Sequence, residues 1–150
     1  MRVYLDLCCL KRPFDLQDQP LVRVQTEAVL SILALPTGTA DLVRSQAQRL
    51  ENSLNPVQSR RESVDLWLAQ GPIAELPEAA IERRIAELLA LGFKSFDAFH
   101  LASAELAGAA ALVTVDSRLL RLAARHATLA VAVVDPVQCL EELTQWKPSS

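Results

Sequence analysis

Cysteine is scarce in this chain. Cys8, Cys9 and Cys139 are the whole complement, and no C-x-x-C pair occurs. That count and spacing exclude a disulfide framework and a zinc knuckle. An excess of one charge is missing as well. Lys and Arg total 15 against 18 Asp and Glu, a formal net charge of −3. The balance is even along the chain, with 8 basic and 9 acidic residues in 1–75 and then 7 and 9 in 76–150. No global basic field exists to hold nucleic acid non-specifically, so any such contact has to be local. The longest uncharged run, 28–40, contains Pro36 and Gly38 and is too short to span a bilayer. Met1 to Asp6 meets an acid too early for a signal peptide. Aromatic residues are 5% of the chain, and Trp67 and Trp146 are isolated, which leaves no platform for stacking single-stranded bases. These absences predict a cytoplasmic protein with no membrane partner.

What remains is ordinary globular composition. With 150 residues, 51% of them apolar and 22% charged, the chain predicts a single domain over 1–150 with a sizeable core. Residues 2–7 predict a short buried strand rich in β-formers, and the stretch from Lys11 to Asp15 predicts turns. Pro20 suits the first turn of a helix running to about Leu35. Asp41-Leu42-Val43 predicts a second strand, and Gln46–Leu54 a helix ended by Asn55-Pro56. Further helices are predicted over 57–70, from Pro77-Glu78 to Gly92, and over 96–107, the last capped by Ser95 and dense in small residues. Ala111–Val115 predicts a strand ending at Asp116, 117–126 an Arg-studded helix, and Ala130–Val134 a last strand ending at the Asp135-Pro136 turn. Strands alternating with helices, without hairpin signals, predict an α/β fold with a parallel sheet.

Acids mark the strand ends. Open α/β sheets bind ligands outside the carboxyl ends of their strands, and Asp6 and Asp116 stand there. Each is equally readable as the cap of the helix that follows. Asp97 weighs against the plain reading, because it sits in the first turn of an apolar, small-residue helix where an unpaired carboxylate is costly.

The three acids fall in motifs. Asp6 ends the first strand, Phe96-Asp97-Ala98-x-His100-Leu101-Ala102-x-Ala104 opens a helix, and Thr114-x-Asp116-x-x-Leu119-Leu120 follows a strand. Together they resemble the signature of PIN-domain proteins, over a span from Asp6 to about Leu140. Tyr4 to Asp15 is similar to one bacterial branch of that family. The resemblance implies a three-layer α/β/α sandwich with a short, mostly parallel sheet. It also implies a metal-dependent ribonuclease using Mg²⁺ or Mn²⁺, with RNA as substrate, and suggests a VapC-type toxin paired with an antitoxin. Asp6 and Asp97 then become the principal metal ligands, and Asp116 completes the metal set. Glu51 is the only acid in its helix and matches the family's helix Glu, with a role in orienting or deprotonating the attacking water. The alternative for Glu51 is a solvated side chain.

Two departures favour a second reading, a non-catalytic PIN-like interaction module with a vestigial acidic pocket. Leu7 stands where the family usually has a small polar residue, and 117–119 lack the second acid that many members carry. Aspartyl-phosphate chemistry fits poorly, since Cys8 occupies the position where a dehalogenase-type phosphatase needs a second Asp. His100, one turn from Asp97, reads first as a satisfied core histidine, and His126 as the end of its helix. Arg118, Arg121 and Arg125 lie on one helix face just after Asp116 and are the candidate contacts for RNA phosphates. Leu- and Ala-rich helices, together with the resemblance, predict a homodimer, with the 20–35 and 57–70 helices at the interface.

Overall fold

The computed structural model describes residues 1–36 and 38–145; Trp146 lies outside them. Four strands, β1 (Arg2–Leu5), β2 (Asp41–Leu42), β3 (Ala111–Val113) and β4 (Ala132–Val134), form one sheet in the order β2-β1-β3-β4. Every pairing is parallel, with Tyr4 opposite Leu112 and Leu112 opposite Val133. Among the described residues the helices are α1 (Leu7–Lys11), α2 (Pro20–Leu33), α3 (Gln46–Ser53), α4 (Gln58–Leu68), α5 (Glu78–Ala90), α6 (Ser95–Leu106), α7 (Ser117–Ala124) and α8 (Pro136–Gln145).

Strand periodicity divides the core in two. Val3, Leu5, Ala111, Val113 and Val134 face one way, onto Leu7 of α1, Ile32 of α2, Leu68 of α4 and Leu143 of α8. Tyr4 and Leu112 face the other way, onto Leu88 of α5, Leu101 of α6 and Leu119 of α7. The result is a three-layer α/β/α sandwich. Its central strands are buried on both faces, which explains why they are short apolar runs and not alternating ones. The small residues of α6 serve this packing: Ala98, Ala102 and Ala104 are fully buried, so the helix backbone lies close to the sheet.

Several boundaries differ from the sequence reading, each for a local reason. β1 stops at Leu5 because the Asp6 carboxylate accepts from Leu7 N and starts α1, so a helix stands where turns were expected. A 3-10 turn, Arg12–Phe14, follows it. Ser95 is the first residue of α6 and not its cap, since the Lys94 carbonyl already accepts from Ala98 N. β3 ends at Val113 and β4 begins at Ala132. Asp135-Pro136 is a helix start: Asp135 Oδ1 accepts from Gln138 N at 2.9 Å, and α8 buries Cys139 and Leu143. An Asp-Pro pair signals a turn and a cap followed by a first-turn proline equally well.

Candidate metal centre

The carboxyl end of β1 gathers the chemistry. Tyr4 points toward α6, and the extended backbone at Asp6 (φ −60°, ψ 149°) carries the alternation one step further, bringing Asp6 to the same side. Leu7 alternates away into the opposite core layer, so this departure from the family pattern lies outside the site. Asp6 is 6% exposed and held on both oxygens. Oδ1 accepts from Leu7 N at 2.8 Å; Oδ2 accepts from the Thr114 hydroxyl at 2.8 Å and from the Cys8 thiol at 3.2 Å.

Glu51 arrives on α3. That helix opens with a reciprocal cap, in which Ser45 Oγ accepts from Gln48 N and Gln48 Oε1 accepts from Ser45 N. The Gln48 amide also donates to the Leu5 carbonyl at 2.7 Å, which fastens α3 to the end of β1. Glu51 follows Gln48 by three residues on the same face and so reaches the Asp6 neighbourhood.

His100 links them. Its Nε2 lies 2.9 Å from Glu51 Oε1 and 3.6 Å from Asp6 Oδ1, and its Nδ1 lies 2.6 Å from the Tyr4 hydroxyl. The Tyr4 hydroxyl is in turn 2.7 Å from Ser45 Oγ. Ligand atoms of Asp6, Glu51 and His100 all fall within 4.8 Å of one another. Reading His100 as a core histidine is half the answer: the ring is 1% exposed and fully hydrogen-bonded, yet it borders the acids. Its place one turn after Asp97 was the available signal. Tyr4, Ser45 and Gln48 carried none, because their meeting depends on β1, α3 and α6 converging.

Asp97 and Asp116 stand around this group. Asp97 is half-buried and has no side-chain hydrogen-bond partner among the described residues. Its carboxyl is raised to about 6, first by burial and then by the charges of Asp6 and Asp116, with Glu51 adding to them. Asp116 is exposed and caps α7, Oδ1 accepting from Arg118 N at 2.9 Å and Leu119 N at 3.4 Å. The Asp116 backbone N–H also donates to Thr114 Oγ1 at 3.1 Å, so one hydroxyl ties Asp6 to the Asp116 turn. Burial would lower the His100 pKa, but the Glu51 hydrogen bond and the charges of Asp6, Glu51 and Asp97 outweigh it and raise it. Burial leads the Asp97 shift and the neighbouring acids add to it, and the same acids account for the rise at His100, so negative charge gathers here. Carboxylate oxygens in that state suit a hard divalent cation.

The model of the PIN domain matches residues 10–125, more than two thirds of the chain. The chain belongs to the PIN-domain family. Members of this family are in general metal-dependent nucleases. Among solved structures, this PIN domain is similar to the crystal structure of FitAcB from Neisseria gonorrhoeae, at 22% identity and a TM-score of 0.53. The match covers 90% of this chain and 98% of that one, which extends the shared fold across nearly the whole molecule. No curated protein matches the sequence. No described helix of this PIN domain is long and apolar enough to cross a membrane.

Proposed function

We propose that this PIN domain, over 1–150, is an endoribonuclease that hydrolyses RNA phosphodiester bonds with Mg²⁺ or Mn²⁺, and that it is the toxin of a type II toxin–antitoxin pair. One observation carries the nuclease reading: ligand atoms of Asp6, Glu51 and His100 fall within 4.8 Å of one another at the carboxyl end of β1, with the charges of Asp97, Asp6 and Asp116 close enough to act on one another. Two carboxylates about 5 Å apart repel by roughly 3 kcal/mol at an effective dielectric near 20. A cation offsets that cost, and family membership supplies the chemistry that uses it.

When bound, a divalent cation makes an attacking water more acidic and relieves charge on the phosphodiester in its transition state. Asp6 and Asp97 would hold it, and Asp116 would complete the set. Glu51 orients the attacking water and takes its proton. Thr114 fixes Asp6 through a hydrogen bond to Oδ2. Cleavage of mixed RNAs in Mn²⁺ or Mg²⁺, abolished by EDTA, tests the reading. Folded protein that binds either ion and leaves RNA intact overturns it in favour of the interaction module.

Arg118 and Arg121 on α7, with Arg125 just beyond it, are all exposed, begin two residues after Asp116 and enter no ion pair among the described residues. They guide RNA phosphates toward the acids. Replacing all three with Gln is expected to weaken RNA binding and to flatten its dependence on salt, since each lost phosphate contact removes about 0.7 from the log–log slope on single strands. Filter binding across a salt series checks this, and an unchanged slope would place the stripe outside the RNA path.

The homodimer is part of the same proposal. Leu21, Val24 and Leu30 of α2 and Leu66 of α4 are exposed, as are Leu54 and Val57 just before α4. Covering such side chains by association is favourable. Light scattering is expected to give twice the chain mass of 16.4 kDa at micromolar concentration; a monomer there excludes the dimer. Antitoxin binding is tested by co-expression with the product of any short reading frame directly upstream.

A further inference from the structure

The four-acid reading leaves His100 without a task, although its ring is buried at the site and its Nε2 edge lies against both Asp6 and Glu51. We infer that His100 Nε2 is a nitrogen ligand of the divalent cation held on Asp6, so that the centre is a mixed oxygen–nitrogen site favouring a first-row transition ion such as Mn²⁺ over Mg²⁺. The inference rests on the proposed nuclease reading and deepens it.

Three observations support the ligand role. The first is spacing. Adjacent ligands on one ion, each about 2.0–2.2 Å from it, stand roughly 3–3.5 Å apart. Nε2 is 3.6 Å from Asp6 Oδ1, near that spacing, while Glu51 Oε1, the acid assigned to the attacking water, is its hydrogen-bond partner at 2.9 Å; all three atoms lie within 4.8 Å of one another. The second is orientation. A metal-binding histidine nearly always has its other ring nitrogen held by a hydrogen-bond partner, which fixes the tautomer and the ring plane. Nδ1 has that partner in the Tyr4 hydroxyl at 2.6 Å, and Tyr4 is seated by Ser45 at 2.7 Å. Without a cation, Nε2–H donates to Glu51; with Nδ1–H donating to the Tyr4 oxygen and the Tyr4 O–H donating to Ser45 Oγ, a cation that displaces the Nε2 proton finds the nitrogen already aimed at the carboxylates. The third is rigidity. Tyr4, Ser45 and Gln48 are fully buried and bonded to one another or to the β1 backbone, so the ring is set in place before a cation arrives.

Donor type then sets preference. Carboxylate and water suit Mg²⁺ and Mn²⁺ alike, whereas imidazole favours transition ions, for which Mg²⁺ is a poor substitute. A nitrogen ligand therefore separates two ions that an all-oxygen site would treat similarly.

Pulsed electron paramagnetic resonance on the full chain loaded with Mn²⁺ reads the ligand directly, and competition with Mg²⁺ reads the preference. The expected spectrum carries nitrogen modulation from a directly bound imidazole, and it changes when the protein is grown with ¹⁵N-histidine. The chain has two histidines, so His126→Gln should keep the modulation. His100→Gln should lose it, and should reduce the Mn²⁺-over-Mg²⁺ preference roughly tenfold. If His100→Gln fails to fold, the wild-type and His126→Gln spectra still decide. Mn²⁺ bound without nitrogen modulation in the wild type overturns the inference and leaves the nuclease reading standing. No Mn²⁺ or Mg²⁺ binding at all overturns both.

Discussion

Asp97→Asn should make the metal-free protein slightly more stable near neutral pH and should remove most of the stabilisation that Mn²⁺ gives the wild type. The reason lies in the raised carboxyl. Asp97 ionises near pH 6 in the fold, against about 3.9 in an unfolded chain. A folded pKa above the unfolded one means that ionisation costs stability. The protonated form's contribution is fully present below pH 4 and is lost as pH rises through about 6. His100 acts in the same sense. Its folded pKa is raised, so its contribution is present below about 6.5 and is lost as pH climbs past the folded value. Metal-free wild type should therefore melt higher at pH 5.5 than at pH 7.5.

Asp97 is only half-buried, so solvent screening trims its share to about 1 kcal/mol, and the Asn variant should recover that amount at pH 7.5. Loss of a favourable acid in the first turn of α6 opposes the gain by a few tenths of a kcal/mol. The metal effect is larger. A ligand at a hundredfold excess over its dissociation constant stabilises the fold by about 2.7 kcal/mol. Thermal melts of both proteins in EDTA and in Mn²⁺ check this. Equal Mn²⁺ shifts in the two would mean that Asp97 only opens its helix.

How much of this was legible beforehand varies by element. The alternation of strands and helices is written in β1, β3 and α6, where apolar runs and small residues leave few other packings. Asp6 and Asp116 are legible because each stands at a break between elements, where a carboxylate has no core to fill; Asp97 shows as an acid in the first turn of an apolar helix, and Glu51, inside α3, is legible only through the family pattern. Two short features were hidden. In α1, a five-residue helix carries Cys8 and Cys9 and runs straight into Arg12-Pro13, a sequence with turn chemistry. In α8, a proline that marks a turn in one context opens a helix in another. The chain from Ser45 through Tyr4 to His100 was hidden for a different reason. Its members are 41 and 96 residues apart, and nothing local in any of them indicates that they touch. Leu7 shows the converse. As a sequence feature it counts against a working site, but strand alternation sends it into the opposite core layer.

The second large effect concerns Asp6, which is held by Leu7 N, Cys8 and Thr114 and lies 3.6 Å from His100. Asn at this position preserves the fold. Its side-chain oxygen still caps α1, since Asn and Asp cap about equally well, and the Thr114 hydroxyl can turn to accept from the new amide. The charge alone is removed. A cation stabilises such a transition state by several kcal/mol; losing about 4 kcal/mol of that corresponds to roughly a thousandfold in rate.

The direct test is cleavage of end-labelled RNA by wild type and Asp6→Asn in parallel, with Mn²⁺ and with EDTA, on samples shown by circular dichroism to be equally folded. The expected result is cleavage by the wild type in Mn²⁺ only, with the variant slower by roughly a thousandfold. Wild-type cleavage that persists in EDTA, or a folded Asp6→Asn variant that cuts at the wild-type rate, would contradict a nuclease centre built on Asp6.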